Sequence, residues 1–300
     1  MTDSLKAVVR TMRPHQWVKN VFVLAPLFFA QAFWEVENVV LALLAALFFS
    51  LIAGTVYLIN DIVDCERDRL HPTKRFRPIA AGDLDVGTAK VVAFAVGITT
   101  LAAAAFVSPV VAAILVTYLV MNLAYSKILK AYAFVDVGII AVGFVLRVAA
   151  GGFAIGVFLS EWLIACTFLL ACFLGFGKRL HEMHLCESGQ LEKIRDGWAG
   201  VQSQALEVAL FVSGGLTLTA YTIYTLTAAL PDQPFRAELT PFTSPYLPVT
   251  IPLVVVGLGR FYQLARRDTA VSPTEQMLRD PVVLGTVLVW GGVLGALVVL

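Results

Sequence analysis

Between Tyr57 and Gly82 the sequence reads YLINDIVDCERDRLHPTKRFRPIAAG, and its acids are ordered rather than scattered. Asp61, Asp64 and Asp68 recur at i, i+3 and i+7, with Asn60 one turn before Asp64. A helix continuing through them carries all four on one face. Three carboxylates so gathered repel one another, and a divalent cation relieves that repulsion. Mg2+ suits the pattern, because it binds through one or two carboxylates and completes its shell with water and phosphate oxygens. Cations follow at once: Arg67, Arg69, Lys74, Arg75 and Arg77. Acids for a metal beside bases for phosphate are what holding a diphosphate ester requires. A solvated loop accounts for the cations but not for three aspartates in phase.

Further candidates lie outside this stretch. AYSKILKAYAFVD supplies Tyr125, Lys127, Lys130 and Asp136, and Arg147 follows inside an apolar run. Asp136 and Arg147 are three helical turns apart, which sets Arg147 roughly 16 Å deeper along the axis. An arginine at that depth needs a polar partner or an anion, so it reads either as a structural ion pair or as a contact to an anionic substrate. FGKRLHEMHLCE places Lys178, Arg179 and Glu182 where another apolar run ends, with His181 and His184 read as hydrogen-bonded or solvated rather than as ligands. RPHQWVKN near the start offers Trp17 for an interfacial belt and Lys19 for a lipid phosphate.

The elements that position these residues are membrane helices. Of 300 residues, 59% are hydrophobic and only 14% charged, too apolar for a water-soluble domain. The formal net charge of +1 gives no basic excess pointing to nucleic acid. The four cysteines, Cys65, Cys166, Cys172 and Cys186, have no C-x-x-C spacing and read as free thiols. Runs long enough to cross about 30 Å of hydrocarbon predict nine helices, at 18–34, 39–59, 89–107, 110–126, 133–155, 161–177, 204–230, 247–265 and 281–300. With nine crossings, all but two of the 22 lysines and arginines fall on one side, Arg236 and Arg147 being the exceptions. By the positive-inside rule that side is cytoplasmic, with the N-terminus on it and the C-terminus outside. Leu5, Val8, Val9 and Met12 recur at helical spacing and predict an interfacial helix over 1–16. The expectation is an all-α integral membrane protein of one domain over 1–300, with a cytoplasmic-side polar cavity.

The Asn60-Asp61-x-x-Asp64-x-x-x-Asp68 pattern after a second membrane helix resembles the UbiA superfamily of intramembrane prenyltransferases. RPHQWVKN at 13–20, DRLHPTKRFRPIAAG at 68–82, Tyr125 with Lys130, the stretch Arg147 to Gly152 and Lys178-Arg179-x-x-Glu182 are similar to its phosphoribosyl-transferring branch. The resemblance covers essentially the whole chain. It implies a UbiA-type bundle that moves a 5-phosphoribosyl group from phosphoribosyl diphosphate (PRPP) to a polyprenyl phosphate of the decaprenyl type, in cell-wall precursor synthesis. It further implies that Asn60, Asp61, Asp64 and Asp68 hold Mg2+ and the diphosphate, that Lys74, Arg75 and Arg77 contact phosphates, and that Lys130, Lys178 and Arg179 contact the ribose 5-phosphate or the lipid phosphate. Members that use aromatic acceptors typically carry a second aspartate-rich motif after the sixth helix. Here that loop has Glu182, Glu187, Glu192 and Asp196 in no such pattern, and Trp198 stands where members of the phosphoribosyl branch often have Tyr. The competing readings are a prenyltransferase acting on an aromatic or other small acceptor and a lipid transporter without chemistry. Membrane lipids are expected partners, and a homo-oligomer is compatible with the pattern.

Overall fold

The computed structural model describes residues 2–129, 132–189, 196–230, 244–267, 269 and 271–299, and among them every regular element is helical. The chain divides into two units: residues 1–28, 32–127 and 146–157, and residues 29–31, 128–145 and 158–300. In the first, α1 (Thr2–Met12) leads through a 3-10 stretch (Pro14–Leu24) into α2 (Ala25–Phe29), α3 (Val36–Val63), α4 (Cys65–Arg69), α5 (Pro78–Ala81), α6 (Val86–Val107) and α7 (Pro109–Lys127). Helix α8 (Val135–Ala154) begins in the second unit and ends in the first. The second continues with α9 (Glu161–Glu187), α10 (Ser203–Ala229), α11 (Ile251–Ala265), α12 (Pro273–Met277) and α13 (Pro281–Val299).

Helix α3 is the axis of the first unit. Ala45, Phe49, Ile52, Ala53 and Val56 recur at three- and four-residue intervals and are buried against Val23, Ala104, Val111, Leu115, Tyr118 and Ala150. Helix α6 packs on α3 the way helices pack in lipid. Its buried stripe is Ala89, Ala93, Gly97, Thr100 and Ala104, while Val91, Phe94 and Phe106 face outward, Phe106 being 93% exposed. Small residues inside let backbones approach, and large apolar ones outside suit hydrocarbon rather than water. In the second unit Phe173 meets Phe261 at 5.2 Å between centroids, amid Val137, Ala141, Leu206, Leu210 and Ala265. Trp290 Nε1 donates to Tyr221 Oη at 2.9 Å, and Tyr221 shares a 2.7 Å hydrogen bond with Thr250, which ties α13 and α10 to the turn before α11.

Seven of the described helices are long and apolar enough to cross a membrane: Val36–Val63, Val86–Val107, Pro109–Ser126, Val135–Ala154, Glu161–Glu187, Ser203–Ala229 and Leu247–Ala265. They coincide with the second to eighth expected spans, and the ninth falls on the shorter apolar helix Pro281–Leu297. The first differs: residues 18–34 are not one α-helix but the 3-10 stretch, α2 and a 3-10 turn (Ala32–Trp34). The cause is contact. Asn20 Nδ2 donates to Ser50 on α3 at 2.8 Å, and the Val23 carbonyl lies so close to Gly151 on α8 that any Cβ there would overlap it. A 3-10 coil rises about 2.0 Å per residue, so eleven residues reach roughly 22 Å where an α-helix would reach roughly 16 Å. Within the stretch 1–16 expected to form an interfacial helix, α1 spans Thr2–Met12. It buries Ala7 and Met12 against Leu58, Ile79 and Leu84 and leaves Leu5 and Val9 exposed beside Lys6 and Arg10.

Candidate active site

Asp64 sits at φ −88° and ψ 1° between α3 and α4, so the single helical face expected to carry three aspartates is broken there. The break parts them. Asp61 and Asp68 are buried, 3% and 1% exposed, and both accept from one atom, Arg77 Nη1, at 3.1 and 2.7 Å. Asp64 instead pairs with the exposed Arg67 at 2.8 Å. Asn60 stands half-buried with its carbonyl bonded to the Asp64 N–H at 2.9 Å.

Local sequence explains how Arg77 reaches the acids. It precedes Pro78, which holds it extended (φ −65°, ψ 140°) between the 3-10 turn Lys74–Phe76 and α5. His71 Nδ1 accepts the amides of Thr73 and Lys74 at 3.3 and 3.4 Å and so caps that turn. Gly82 ends α5 at φ 86°, a conformation that suits glycine, and buried Ile79 and Leu84 anchor the loop on Cys65 and Leu58. Arg13 completes the cluster. Its Nη2 donates to Asp61 Oδ1 at 2.7 Å while its guanidinium lies 4.8 Å over the Tyr57 ring. Arg13 holds the left-handed conformation (φ 52°), a cost that a non-glycine residue bears only where surrounding contacts impose it. Removing one partner of a buried carboxylate costs about 3–5 kcal/mol, against about 0–1 kcal/mol for an exposed pair such as Arg67–Asp64.

Arg147, also in the first unit, is buried at the centre of a second polar knot. Nε donates to Asn20 Oδ1 at 2.8 Å and Nη2 to the Tyr118 hydroxyl at 3.1 Å, and the guanidinium lies over the rings of Phe49 and Tyr118 at 4.9 and 5.1 Å. It thereby fastens the 3-10 stretch to α7 and α8. Asp136 is engaged elsewhere, in the second unit. Arg179 Nε lies 2.6 Å from Asp136 Oδ2 as a charge contact rather than an aligned hydrogen bond, and Arg179 Nη1 also contacts Glu182. Trp198 Nε1 donates to the same Asp136 oxygen at 3.1 Å. Arg179, expected among the phosphate contacts, is buried in the structure and paired with Asp136 and Glu182.

The UbiA prenyltransferase family model matches residues 21–279. The chain belongs to the UbiA prenyltransferase family. Decaprenyl-phosphate phosphoribosyltransferase from Mycobacterium tuberculosis (strain CDC 1551 / Oshkosh) is 35% identical over 296 residues, covering 97% of this chain and 94% of that protein. The protein of the same name from Mycolicibacterium smegmatis is 31% identical, with 97% and 92% covered. Among solved structures, a UbiA homologue from Archaeoglobus fulgidus bound to GPP and Mg2+ superposes with a TM-score of 0.67 at 18% identity, covering 98% of this chain and all of that one. That likeness fixes the UbiA fold.

Among the described residues of this UbiA chain, no three His, Cys, Asp or Glu side chains gather as a metal-binding set. The repulsion that the sequence assigns to a divalent cation is met instead by Arg13, Arg67 and Arg77. Two carboxylates converging on one cationic atom still match the donors Mg2+ takes from a protein, one or two acids with the rest from water and phosphate. Around them Arg75 is exposed and Lys74 half-buried. Lys19 is exposed, and Tyr125, Lys178 and Glu182 are half-buried. Lys130 lies outside the described residues. Arg13 and Trp198 are what sequence reasoning missed as working parts. The dipeptide Arg13-Pro14 was a signal for the first, and nothing beyond the family pattern marked the second.

Proposed function

We propose that this chain transfers the 5-phosphoribosyl group of PRPP to a polyprenyl phosphate of the decaprenyl type, releasing diphosphate. The observation that carries the reading is the pair Asp61 and Asp68, buried and drawn to one cationic nitrogen beneath a basic loop. Relatives named for this reaction, matched along nearly their full length, support the donor and the acceptor.

Asp61 and Asp68, with Asn60 and Asp64 beside them, would hold Mg2+, which supplies Lewis-acid stabilisation of the departing diphosphate. Arg67, Lys74 and Arg75 neutralise the charge that builds on the leaving group. The bond from the anomeric carbon to the diphosphate oxygen breaks, and its electron pair leaves with diphosphate. A lipid phosphate oxygen forms the new bond from the opposite side, with inversion. A phosphate monoester has its second pKa near about 6 and is mostly a dianion at neutral pH, so no side chain need remove a proton. The task left to the protein is orientation, with Lys19, Tyr125, Lys130 and Lys178 as contacts for the sugar and lipid phosphates.

The asymmetry of lysine and arginine supports a cytoplasmic N-terminus and a cytoplasmic-side polar pocket in the inner membrane. In this reading one integral domain covers 1–300, with the Pro14–Leu24 stretch and α2 as its first crossing and α13 as its ninth. Purified protein given labelled PRPP, Mg2+ and decaprenyl phosphate should yield a labelled phosphoribosyl lipid, and Asp61→Ala and Asp68→Ala should abolish it. Product made instead from a polyprenyl diphosphate and an aromatic acid, with none from PRPP, would select the prenyltransferase reading.

A further inference from the structure

The inference rests on the proposed metal-assisted reaction and concerns how the two buried acids are kept until substrate arrives. Arg77 Nη1 is 3.1 Å from Asp61 Oδ1 and 2.7 Å from Asp68 Oδ2. A magnesium ion bound by the same two oxygens lies about 2.0–2.1 Å from each. Its position therefore overlaps that of the guanidinium nitrogen, and two cations repel besides. We infer that Arg77 is a resident counter-cation standing where the divalent ion must go, so that the ion enters only when diphosphate gives Arg77 another anion to hold.

Several features make Arg77, rather than Arg13, the residue that yields. Arg13 touches only Asp61 of the pair and is further held by the face of Tyr57. Among the described residues, Arg77 alone bridges both acids. Its side chain is 27% exposed and rises from a single extended residue between two short helical turns. It can therefore swing toward the loop that carries Lys74 and Arg75, where a diphosphate would meet positive charge. The acids cannot release it unaided, because buried Asp68 would lose its cation while Asp61 kept only Arg13, and a buried carboxylate without a partner is strongly destabilising. Exchange of one cation for another avoids that state. Metal and diphosphate then bind as linked ligands, each raising the affinity for the other by the same factor.

The test is equilibrium binding of Mn2+, a paramagnetic substitute, to the full-length protein in nanodiscs, followed by electron paramagnetic resonance and independent of turnover. Wild-type protein should bind Mn2+ weakly alone and roughly 5–150-fold more tightly with saturating inorganic pyrophosphate, the range usual for linked sites. Arg77→Gln should bind Mn2+ without pyrophosphate more tightly than wild type does, and Arg13→Gln should gain less. Equal wild-type affinity with and without pyrophosphate overturns the exchange, and that measurement needs no variant to fold. If neither protein binds Mn2+ even with pyrophosphate present, the metal assignment under the proposed function falls with it.

Discussion

Trp198 donates its indole N–H to Asp136 at 3.1 Å, with both side chains fully buried. The ring also packs 5.4 Å from Phe134. The residue at 198 thus closes the 3-10 turn Asp196–Trp198 onto the start of α8, and a tyrosine at this place would be an alternative donor of the same kind.

Trp198→Phe should keep the ring packing and lose the hydrogen bond, leaving a buried carboxylate oxygen short of a donor. The expected cost is about 1–3 kcal/mol. Thermal unfolding in detergent, read by tryptophan-independent circular dichroism, measures it, and Trp198→Tyr should restore part of the loss.

Arg179 offers a contrast with the resemblance that placed it on a phosphate. Because it pairs with Asp136 and Glu182 in a buried setting, Arg179→Gln should lose about 3–5 kcal/mol of stability. The folded remainder should keep its affinity for PRPP. Adding Asp136→Asn should recover stability, since the uncompensated charge is then gone. A weakened PRPP affinity with unchanged stability would return Arg179 to the substrate.

At Gly151 the Val23 carbonyl leaves no room for a side chain. Gly151→Ala should push the 3-10 stretch off α8, loosen the Asn20–Arg147 hydrogen bond and cost about 1–3 kcal/mol or more. Hydrogen exchange should rise along residues 14–24 while α10 stays protected.

Asp280 gives a pH signature. Its carboxylate takes three N–H contacts from Arg260 and caps α13 through the amides of Val282 and Val283, each at 3.1 Å. The Arg260 hydrogen bonds hold the Asp280 carboxyl below its usual range, against the opposing pull of partial burial. A group depressed in the folded state adds stability above its unfolded pKa of about 3.9 and loses it as pH falls further. Asp280→Asn keeps the cap, so its thermal midpoint should fall below wild type at neutral pH and converge with it below about pH 4.

The spans were legible because hydropathy reports composition, and α3 and α6 to α11 have enough of it. The acids and bases between Tyr57 and Gly82 were legible because their spacing is local. What escaped was set by distance along the chain. Arg13 meets Asp61 across 48 residues, and Trp198 meets Asp136 across 62. No periodicity encodes such pairs. The same apolar run at 18–34 scores as a span whether it coils as an α-helix or as a 3-10 stretch drawn against Gly151. The break at Asp64 was hidden for a related reason, since the residues around it carry no proline or glycine to announce it.

Helix α6 turns alanines inward and phenylalanines outward. Taken out of its bilayer, such a molecule keeps its apolar interior around α3 but also shows water an oily coat. Water would drive neighbouring copies together long before it loosened any one of them, so clumping rather than unravelling is the first failure to guard against during purification.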